Sequence, residues 1–235
     1  MSQTQEGLSS ALGNVRERLI SSGGNQAKCE VDDRESQISR KANWTAIEKR
    51  IGKRYSRCTF DSYVAETPRQ REALEAVRKH AFNLPGLIAK GGGGMLLFGS
   101  AGTGKDHLAI CALRAAVMYH GLTAEAIDGQ LLFSKARDVI QSDTREQDFI
   151  STFTRPEILL ISDPVPIGMS PTEFQQSTLW RIYDARYRDE KPTWTTANVV
   201  NRDELERRLG VQLADRMRDQ ALCLFFDWES HRKPA

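Results

Sequence analysis

The feature that most constrains the fold of this chain is a glycine-rich turn, GSAGTGK at residues 99–105, between two apolar segments. Before the turn, MLLF at 95–98 predicts a buried strand, and after it apolar residues at helical spacing predict a helix over 105–119. The turn matches G-x-x-x-x-G-K, a pattern that cradles phosphate when a strand enters it and a helix leaves it. Because both neighbours are present, the segment predicts a nucleotide-binding loop in an α/β domain.

The loop offers three kinds of contact to a polyphosphate. Its glycines let successive backbone N–H groups point inward, the following helix presents its positive end, and the Lys105 ammonium can reach the β- and γ-phosphates. We therefore predict an ATP-binding site made of nine consecutive residues: Gly99, Ser100, Ala101, Gly102, Thr103, Gly104, Lys105, Asp106 and His107.

Asp106 departs from the usual pattern, because the residue after the lysine is normally a Ser or Thr whose hydroxyl ligates Mg²⁺. A carboxylate at that position is repelled by the phosphates unless a metal ion lies between them. The strand expected to complete the site, EILLIS, ends in Ser162 and Asp163 and is followed by Pro164. Sites of this kind usually carry an Asp followed by a Glu at that strand end.

Two registers of this strand end are open. In the first, Asp163 ligates the metal ion and Pro164 replaces the catalytic base. In the second, Ser162 takes the metal position and Asp163 acts as the base, which leaves the four apolar residues at 158–161 in the strand. We prefer the second register, because the usual hydroxyl and carboxylate then exchange places between loop and strand without changing the total charge. The predicted metal-binding residues are Asp106, Ser162 and Asp163.

Strand-like and helix-like segments alternate along the rest of the chain. Strands are expected near residues 124–127, at 158–161, within PTWTTANV and within LCLFFDW. Capping-box patterns at Thr67-Pro-Arg-Gln and at Ser170-Pro-Thr-Glu predict the starts of two helices. The alternation predicts an α/β fold with a mostly parallel sheet flanked by helices.

Composition divides the chain into three predicted segments. Residues 1–42 are polar and expected to be partly disordered, although an apolar stripe formed by Leu8, Leu12, Val15 and Leu19 could form a docking helix. Residues 43–90 form a basic helical lead-in, and residues 91–235 form the nucleotide-binding core.

The segment 40–58 contains seven basic residues and one acidic residue, with Trp44 and Tyr55 between them. This mixture suits contacts to nucleic-acid phosphates and stacking on bases. The same charges also suit the solvated face of a helix whose apolar face carries Trp44, Ile47 and Ile51. The sequence leaves both interpretations open.

Several classes of protein are excluded by composition. A net charge of +2 is too small to indicate nucleic-acid binding without local clustering. No apolar run approaches the roughly 18 residues of a membrane helix, and the first residues lack the apolar centre of a signal peptide, so a cytoplasmic protein is expected. The four cysteines and four histidines show no metal-ligand spacing.

Four segments occur in a characteristic order: GTGKDHLA, the acidic strand end at 162–163, KPTWTTANV and RRLGVQLADRMRDQALCLFFDWESHR. In this order they resemble the DnaC/IstB family of AAA+ ATPases, which are bacterial helicase loaders and transposition helpers, over about residues 50–232. The resemblance implies an AAA+ P-loop core without a C-terminal helical lid. It also implies that Asn198 senses the γ-phosphate, that Arg216 is an arginine finger entering a neighbour's site, and that Thr59-Phe-Asp packs near the adenine.

The resemblance further implies ATP and Mg²⁺ as cofactors, with Lys105, Asp163, Asn198 and Arg216 as the catalytic residues. Expected partners are a replicative helicase or a transposase, single-stranded DNA, and further copies of the chain that assemble through Arg216. Three functions remain open: a DnaC-like helicase loader, an IstB-like transposition helper, and an ATP-binding adaptor that scarcely hydrolyses ATP. The third is suggested by the missing Asp-Glu pair.

Overall fold

The structure, a computed structural model, describes residues 25–141, 145–164 and 171–232, and the side chains from residue 35 onward. The apolar stripe predicted between residues 8 and 19 lies outside this part of the chain. Within it, five strands form a single sheet in which every pairing is parallel. The strands are β1 (Gly94–Gly99), β2 (Ala124–Asp128), β3 (Ile158–Ser162), β4 (Thr193–Ala197) and β5 (Ala221–Phe226).

The strand order is β2-β3-β4-β1-β5, with helices packed on both faces of the sheet. The predicted α/β class is therefore confirmed, and the sheet is wholly parallel in the described residues. Strand residues alternate between the two layers: Met95 and Leu97 of β1 belong to one apolar cluster and Leu96 to the other. Burial on both faces explains why β1 and β3 read as continuous apolar runs in the sequence.

Helices on the first face come mainly from the amino-terminal part of the described chain: α1 (Asn25–Ile51), α2 (Lys53–Ser56), α3 (Pro68–Phe82), α4 (Leu84–Ile88) and α5 (Lys105–Met118). Helices on the second face are α6 (Gly129–Ile140), α7 (Glu146–Thr154), α8 (Glu173–Arg188), α9 (Arg202–Leu209) and α10 (Val211–Arg218). None of the helices described here is long and apolar enough to cross a membrane.

Helix α1 runs across the boundary that composition suggests at residue 42. Trp44 and Ile47 are buried in the same apolar cluster as α3 and α5, and Trp44 Nε1 donates a hydrogen bond to Glu48 Oε1 at 2.7 Å. The basic lead-in is thus one layer of the domain, and the indole of Trp44 is unavailable for stacking on a base.

The two predicted helix starts have different outcomes. The capping box at Thr67 is confirmed: the Thr67 hydroxyl accepts from the Gln70 N–H, and the Gln70 side chain accepts from the Thr67 N–H. The second predicted helix, expected to run to about Arg188, is confirmed, but its predicted cap, Ser170, lies outside the described residues. Helix α8 begins at Glu173, and Thr172 forms the reciprocal capping box with Gln175. Two overlapping patterns compete here, and Thr172 forms both cap hydrogen bonds.

A buried arginine holds the amino edge of the sheet. Arg186 of α8 is fully buried, and burial lowers its pKa to about 10. Instead of a carboxylate, its guanidinium donates to neutral acceptors: the carbonyls of Phe153, Pro156, Glu157 and Pro192 and the Thr193 hydroxyl, at 2.6–2.9 Å. One side chain therefore ties α7, the start of β3 and the start of β4 together.

Replacing Arg186 with methionine should lower the free energy of unfolding by about 3 kcal/mol or more, because several buried carbonyls lose their donor at once. Urea unfolding measures this change. The matched control is Arg181→Met on the same helix, whose ion pair with Glu146 is exposed and should contribute less than about 1 kcal/mol. Equal losses in the two variants would contradict this role of Arg186.

Candidate functional site

The glycine-rich loop leaves the carboxyl end of β1 in a conformation that requires glycine at two positions. Gly99 has φ 138°, and a Cβ built there would lie 2.1 Å from the carbonyl oxygen of Phe226 on the neighbouring strand β5. Gly104 has φ 93°, and its Cβ would lie 2.6 Å from Tyr63 Cε2. These glycines let the loop backbone pass close to its neighbours before α5 begins at Lys105.

Lys105 lies at the centre of the site, with only 4% of its surface exposed. Its ammonium donates to the carbonyls of Gly99 at 3.0 Å and Ser100 at 2.6 Å, and to Asn198 Oδ1 at 2.9 Å. Burial lowers the pKa of Lys105, although the carboxylates of Asp163 and Asp106 oppose the shift. The ammonium is thus held at the loop by neutral oxygens, which a phosphate could replace.

Asp163 and Asn198 form the second half of this cluster, at the ends of adjacent strands. Asn198 Nδ2 donates to Asp163 Oδ2 at 2.6 Å, whereas Asp163 Oδ1 is buried with no hydrogen-bond partner among the described residues. Asp163 also has a left-handed φ of 46°. Burial, reinforced by the charge of Asp106, raises the pKa of Asp163 to about 6. An unpaired buried carboxylate oxygen in strained backbone is typical of a functional position.

Asp106 points to the ends of β3 and β4. Ser162 Oγ donates to Asp106 Oδ1 at 2.8 Å, and Thr196 Oγ1 donates to the same oxygen at 2.6 Å. Ser162 and Thr196 are register partners in the sheet, and their hydroxyl oxygens lie 3.2 Å apart. The structure therefore brings together two of the three predicted metal-binding residues and adds Thr196, which sequence reasoning missed.

A cavity of about 510 Å³ opens beside the loop, a size that accommodates a nucleotide. Its walls include the predicted residues Lys105, Asp106, Asp163 and Asn198. They also include residues that were not predicted as site residues: Arg54, Tyr55, Tyr63, His231 and Arg232. Of the predicted nine-residue loop, Ala101, Gly102, Gly104 and His107 line the cavity as well.

His107 connects the loop to the segment before α3. Its Nε2 lies 3.0 Å from the carbonyl oxygen of Thr59 and 3.2 Å from Ser62 Oγ. The ring of Tyr63 packs edge-on against His107, with centroids 5.4 Å apart. The Thr59-Phe-Asp segment therefore lies against the start of α5, on the side of the loop cavity.

The segment 227–232, which we call the tail, crosses back over the loop after β5. Trp228 Nε1 donates to the carbonyl of Thr103 at 2.9 Å, and the His231 N–H donates to the carbonyl of Gly102 at 2.9 Å. Arg232 adds a cation to the cavity wall. In the sequence, only the polar character of WESHR hints that this segment contributes to a site. No local pattern indicates that it packs on a loop more than a hundred residues away.

Arg216 lies at the opposite edge of the sheet. It lines a cavity of about 330 Å³ together with Gly94 and Thr193, the first residues of β1 and β4. The loop cavity lies at the other end of these strands, and the six residues of β1 separate the two ends by about 16 Å. Its guanidinium pairs with Asp184 and lies 4.1 Å from the ring centroid of Trp180. Arg216 is thus not part of the loop cavity in its own chain.

The basic segment 40–58 supports only part of the nucleic-acid interpretation. Trp44 is buried, and Tyr55 is partly buried and lines the loop cavity. Six of the seven cations remain exposed, although Arg50 pairs with Glu125, whereas Arg40 is half-buried and donates to the Met118 and Tyr119 carbonyls. Contacts to phosphates from this face stay a prediction, whereas the burial of Trp44 favours the other interpretation, in which this residue lies on the apolar face of a helix.

A parallel sheet of this order, with the glycine-rich loop after β1 and polar residues ending β3 and β4, defines an AAA+ P-loop nucleotide-binding fold. The AAA+ fold predicted from the sequence is confirmed.

Comparisons with known proteins agree with this class. A scan of protein-family models gave no match. The replicative helicase loader DnaC of Escherichia coli strain K12 is 28% identical over 181 residues, which cover 76% of this chain and 70% of that protein. A DnaC of Buchnera aphidicola subsp. Schizaphis graminum is 27% identical over 183 residues, 76% of this chain and 71% of that protein. The resemblance to the DnaC/IstB family is thereby confirmed.

Solved structures share the fold. A crystal structure of the DnaC helicase loader superimposes with a TM-score of 0.66 at 23% identity, covering 75% of this chain and all of that chain. A replication initiator DnaA bound to AMPPCP and single-stranded DNA superimposes with a TM-score of 0.61 at 19% identity, covering 76% of this chain and 51% of that one.

Proposed function

We propose that this chain is an ATP-binding AAA+ protein that acts as a DnaC-like loader or remodeller of a replicative helicase on single-stranded DNA. The observation that carries this proposal is the similarity to a replicative helicase loader over 181 residues. The match covers 76% of this chain, so the likeness exceeds a shared nucleotide loop. ATP binding between subunits builds an assembly that grips the helicase and DNA, and hydrolysis releases it.

In this proposal the loop backbone and Lys105 bind the ATP phosphates. The hydrogen bonds from Lys105 to two loop carbonyls and to Asn198 support this role, because they hold the ammonium at the loop. Asn198 contacts both Lys105 and Asp163, so it is suited to sense the γ-phosphate. Asp163, with its raised pKa, is suited to accept a proton from the attacking water.

The residues present fit a magnesium ion. Mg²⁺ in nucleotide sites is usually held by one or two carboxylates together with waters and substrate phosphates, so it needs few ligands from the protein. Asp106 and Ser162 would hold the ion, with Asp163 beside them, which supports the exchange of carboxylate and hydroxyl between loop and strand. When bound, Mg²⁺ would neutralise charge on the ATP phosphates.

Arg216 is proposed to act on the nucleotide of a neighbouring subunit. Its position at the sheet edge opposite the loop cavity supports action in trans, since the guanidinium cannot reach Lys105 in the same chain. Self-assembly is therefore part of the proposed function. In the free chain the guanidinium is held by Asp184 and the aromatic rings of Trp180 and Tyr187.

The partners proposed are a replicative helicase and single-stranded DNA, in the cytoplasm. The exposed cations of segment 40–58 are candidates for contacts to DNA phosphates. An IstB-like role beside a transposase is less favoured, because the curated relatives reported above are helicase loaders. A second candidate function is an ATP-binding adaptor that scarcely hydrolyses ATP, since Pro164 follows Asp163 where such sites usually carry a second carboxylate.

Phosphate release with and without single-stranded DNA tests the proposal. We expect slow hydrolysis of ATP whose rate changes when single-stranded DNA is added and does not change with an equal mass of duplex DNA. ATP binding measured by calorimetry without phosphate release would instead favour the adaptor. Neither binding nor release, in protein shown to be folded by circular dichroism, would contradict both functions.

A further inference from the structure

Thr196 is a buried hydroxyl that the predicted site does not include. Only 1% of its surface is exposed, and it lies on β4 directly beside Ser162 of β3. Its Oγ1 donates to Asp106 Oδ1 at 2.6 Å, while Ser162 Oγ donates to the same oxygen at 2.8 Å. Two hydroxyls from paired strands therefore converge on one oxygen of the loop carboxylate.

This convergence has a directional effect. Both described hydrogen bonds to the Asp106 carboxylate go to Oδ1, and holding that oxygen fixes the rotation of the carboxylate. The second oxygen, Oδ2, receives no hydrogen bond from the described residues. A carboxylate fixed in this way can present one oxygen to a cation without first losing a donor. A freely rotating carboxylate would instead have to be ordered when the ion binds.

The two hydroxyls differ in what they can reach. Ser162 is half-buried at the end of its strand, so its oxygen can donate to Asp106 and still offer a lone pair to an ion. Thr196 is more deeply buried, on the neighbouring strand β4, and neither of the two residues is among those that line the loop cavity. Its hydroxyl is 2.6 Å from Asp106 Oδ1 and 3.2 Å from Ser162 Oγ, so the influence of Thr196 on a bound ion should pass mainly through Asp106.

From this geometry we infer that Thr196 is a positioning residue for magnesium-dependent nucleotide binding, which it supports by holding the Asp106 carboxylate in its binding orientation. The inference rests on the proposed ATP-binding function and adds to it a residue that neither the loop pattern nor the acidic strand end contains. It also explains why an aspartate is stable directly after the loop lysine: two hydroxyl donors compensate a carboxylate that is close to the phosphate site.

Thr195 provides a matched control on the same strand. It is also buried, at 2% exposure, and its hydroxyl is also hydrogen-bonded to a side chain, Tyr183 of α8. Because successive strand residues point to opposite faces of the sheet, Thr195 contacts the other helical layer. Thr195→Val and Thr196→Val remove the same atom from neighbouring positions, and only Thr196→Val removes a hydrogen bond from Asp106.

The test measures the affinity of AMPPCP by calorimetry in MgCl₂ and in EDTA for each variant. In Thr196→Val the ratio of the two affinities should fall by about 10-fold, the loss of one hydrogen bond to a charged group. Thr195→Val should keep the wild-type ratio even if its melting temperature falls, and Thr196→Ser should restore it. Adding Thr196→Val to Asp106→Ala should lower the ratio no further than Asp106→Ala alone, because Thr196 acts through that carboxylate.

Other outcomes overturn the inference. Equal changes of the ratio in Thr195→Val and Thr196→Val would make Thr196 a packing residue of the strand. Equal loss of AMPPCP affinity in MgCl₂ and in EDTA would mean that Thr196 maintains the shape of the nucleotide pocket and does not act through the metal ion. If wild-type protein bound AMPPCP equally in MgCl₂ and EDTA, this inference would fall while the nucleotide function stood. If it did not bind AMPPCP at all, both would fall.

Discussion

Replacing Arg216 with alanine should reduce ATP hydrolysis by about 10³-fold while leaving the affinity for ATP largely unchanged. The reason is geometric: Arg216 lies at the sheet edge opposite the loop cavity, so it can stabilise transition-state charge only on the nucleotide of a neighbouring subunit. Phosphate release gives the rate and calorimetry gives the affinity. The matched control is Arg188→Ala, because Arg188 pairs with the same carboxylate of Asp184 but carries no proposed role.

Mixing separates action in trans from a local effect. Arg216→Ala protein keeps an intact loop, and Lys105→Ala protein keeps an intact Arg216, so mixed assemblies contain some complete sites. Recovery of phosphate release in the mixture is expected. Absence of recovery, in mixtures shown by crosslinking to co-assemble, would indicate that Arg216 supports its own chain by pairing with Asp184.

Replacing Lys105 with alanine should weaken ATP binding by about 10³-fold, since two charge-assisted contacts to phosphate are expected to be lost at once. The backbone N–H groups of the loop remain, but they cannot supply a full positive charge. Calorimetry with ATP in MgCl₂ gives the affinity. The control is Lys90→Ala, which removes an exposed lysine from the turn before β1.

Unchanged ATP affinity in Lys105→Ala would contradict the assignment of the loop. Because Lys105 also donates to the Gly99 and Ser100 carbonyls, its removal could disorder the loop. Lys105→Met retains the aliphatic chain and tests this: a similar loss of affinity with a native melting temperature assigns the effect to the charge.

Those parts of the fold that depend on local pattern could be predicted from the sequence. The strand, loop and helix from Met95 to Met118 follow from a continuous apolar run, from glycines at fixed spacing and from apolar residues at helical spacing. The capping box at Thr67 was predicted for the same reason, because its partners lie three residues apart. The overlapping patterns at Ser170 and Thr172 show the limit of such predictions, because the local sequence does not determine which of the two residues caps the helix.

The parts of the site that could not be predicted depend on contacts distant in sequence. Thr196 meets Asp106 across 90 residues, and Trp228 meets Thr103 across 125. These contacts are set by strand order, and a β4 placed elsewhere in the sheet would separate Thr196 from the loop. Likewise, nothing local distinguishes a Trp44 that packs in the core from one that stacks on a base.

Asp163 has a consequence for engineering this protein. It combines a left-handed backbone that costs a non-glycine residue about 1–3 kcal/mol with a buried carboxylate oxygen that receives no hydrogen bond from the part of the chain that the structure describes. Asparagine tolerates that backbone better and needs no charge to be buried. A library selected for heat resistance alone should therefore enrich substitutions at position 163, and if Asp163 acts on the attacking water as proposed, its most robust members should be those least able to hydrolyse ATP. Selection for stability in this protein must be paired with selection for turnover.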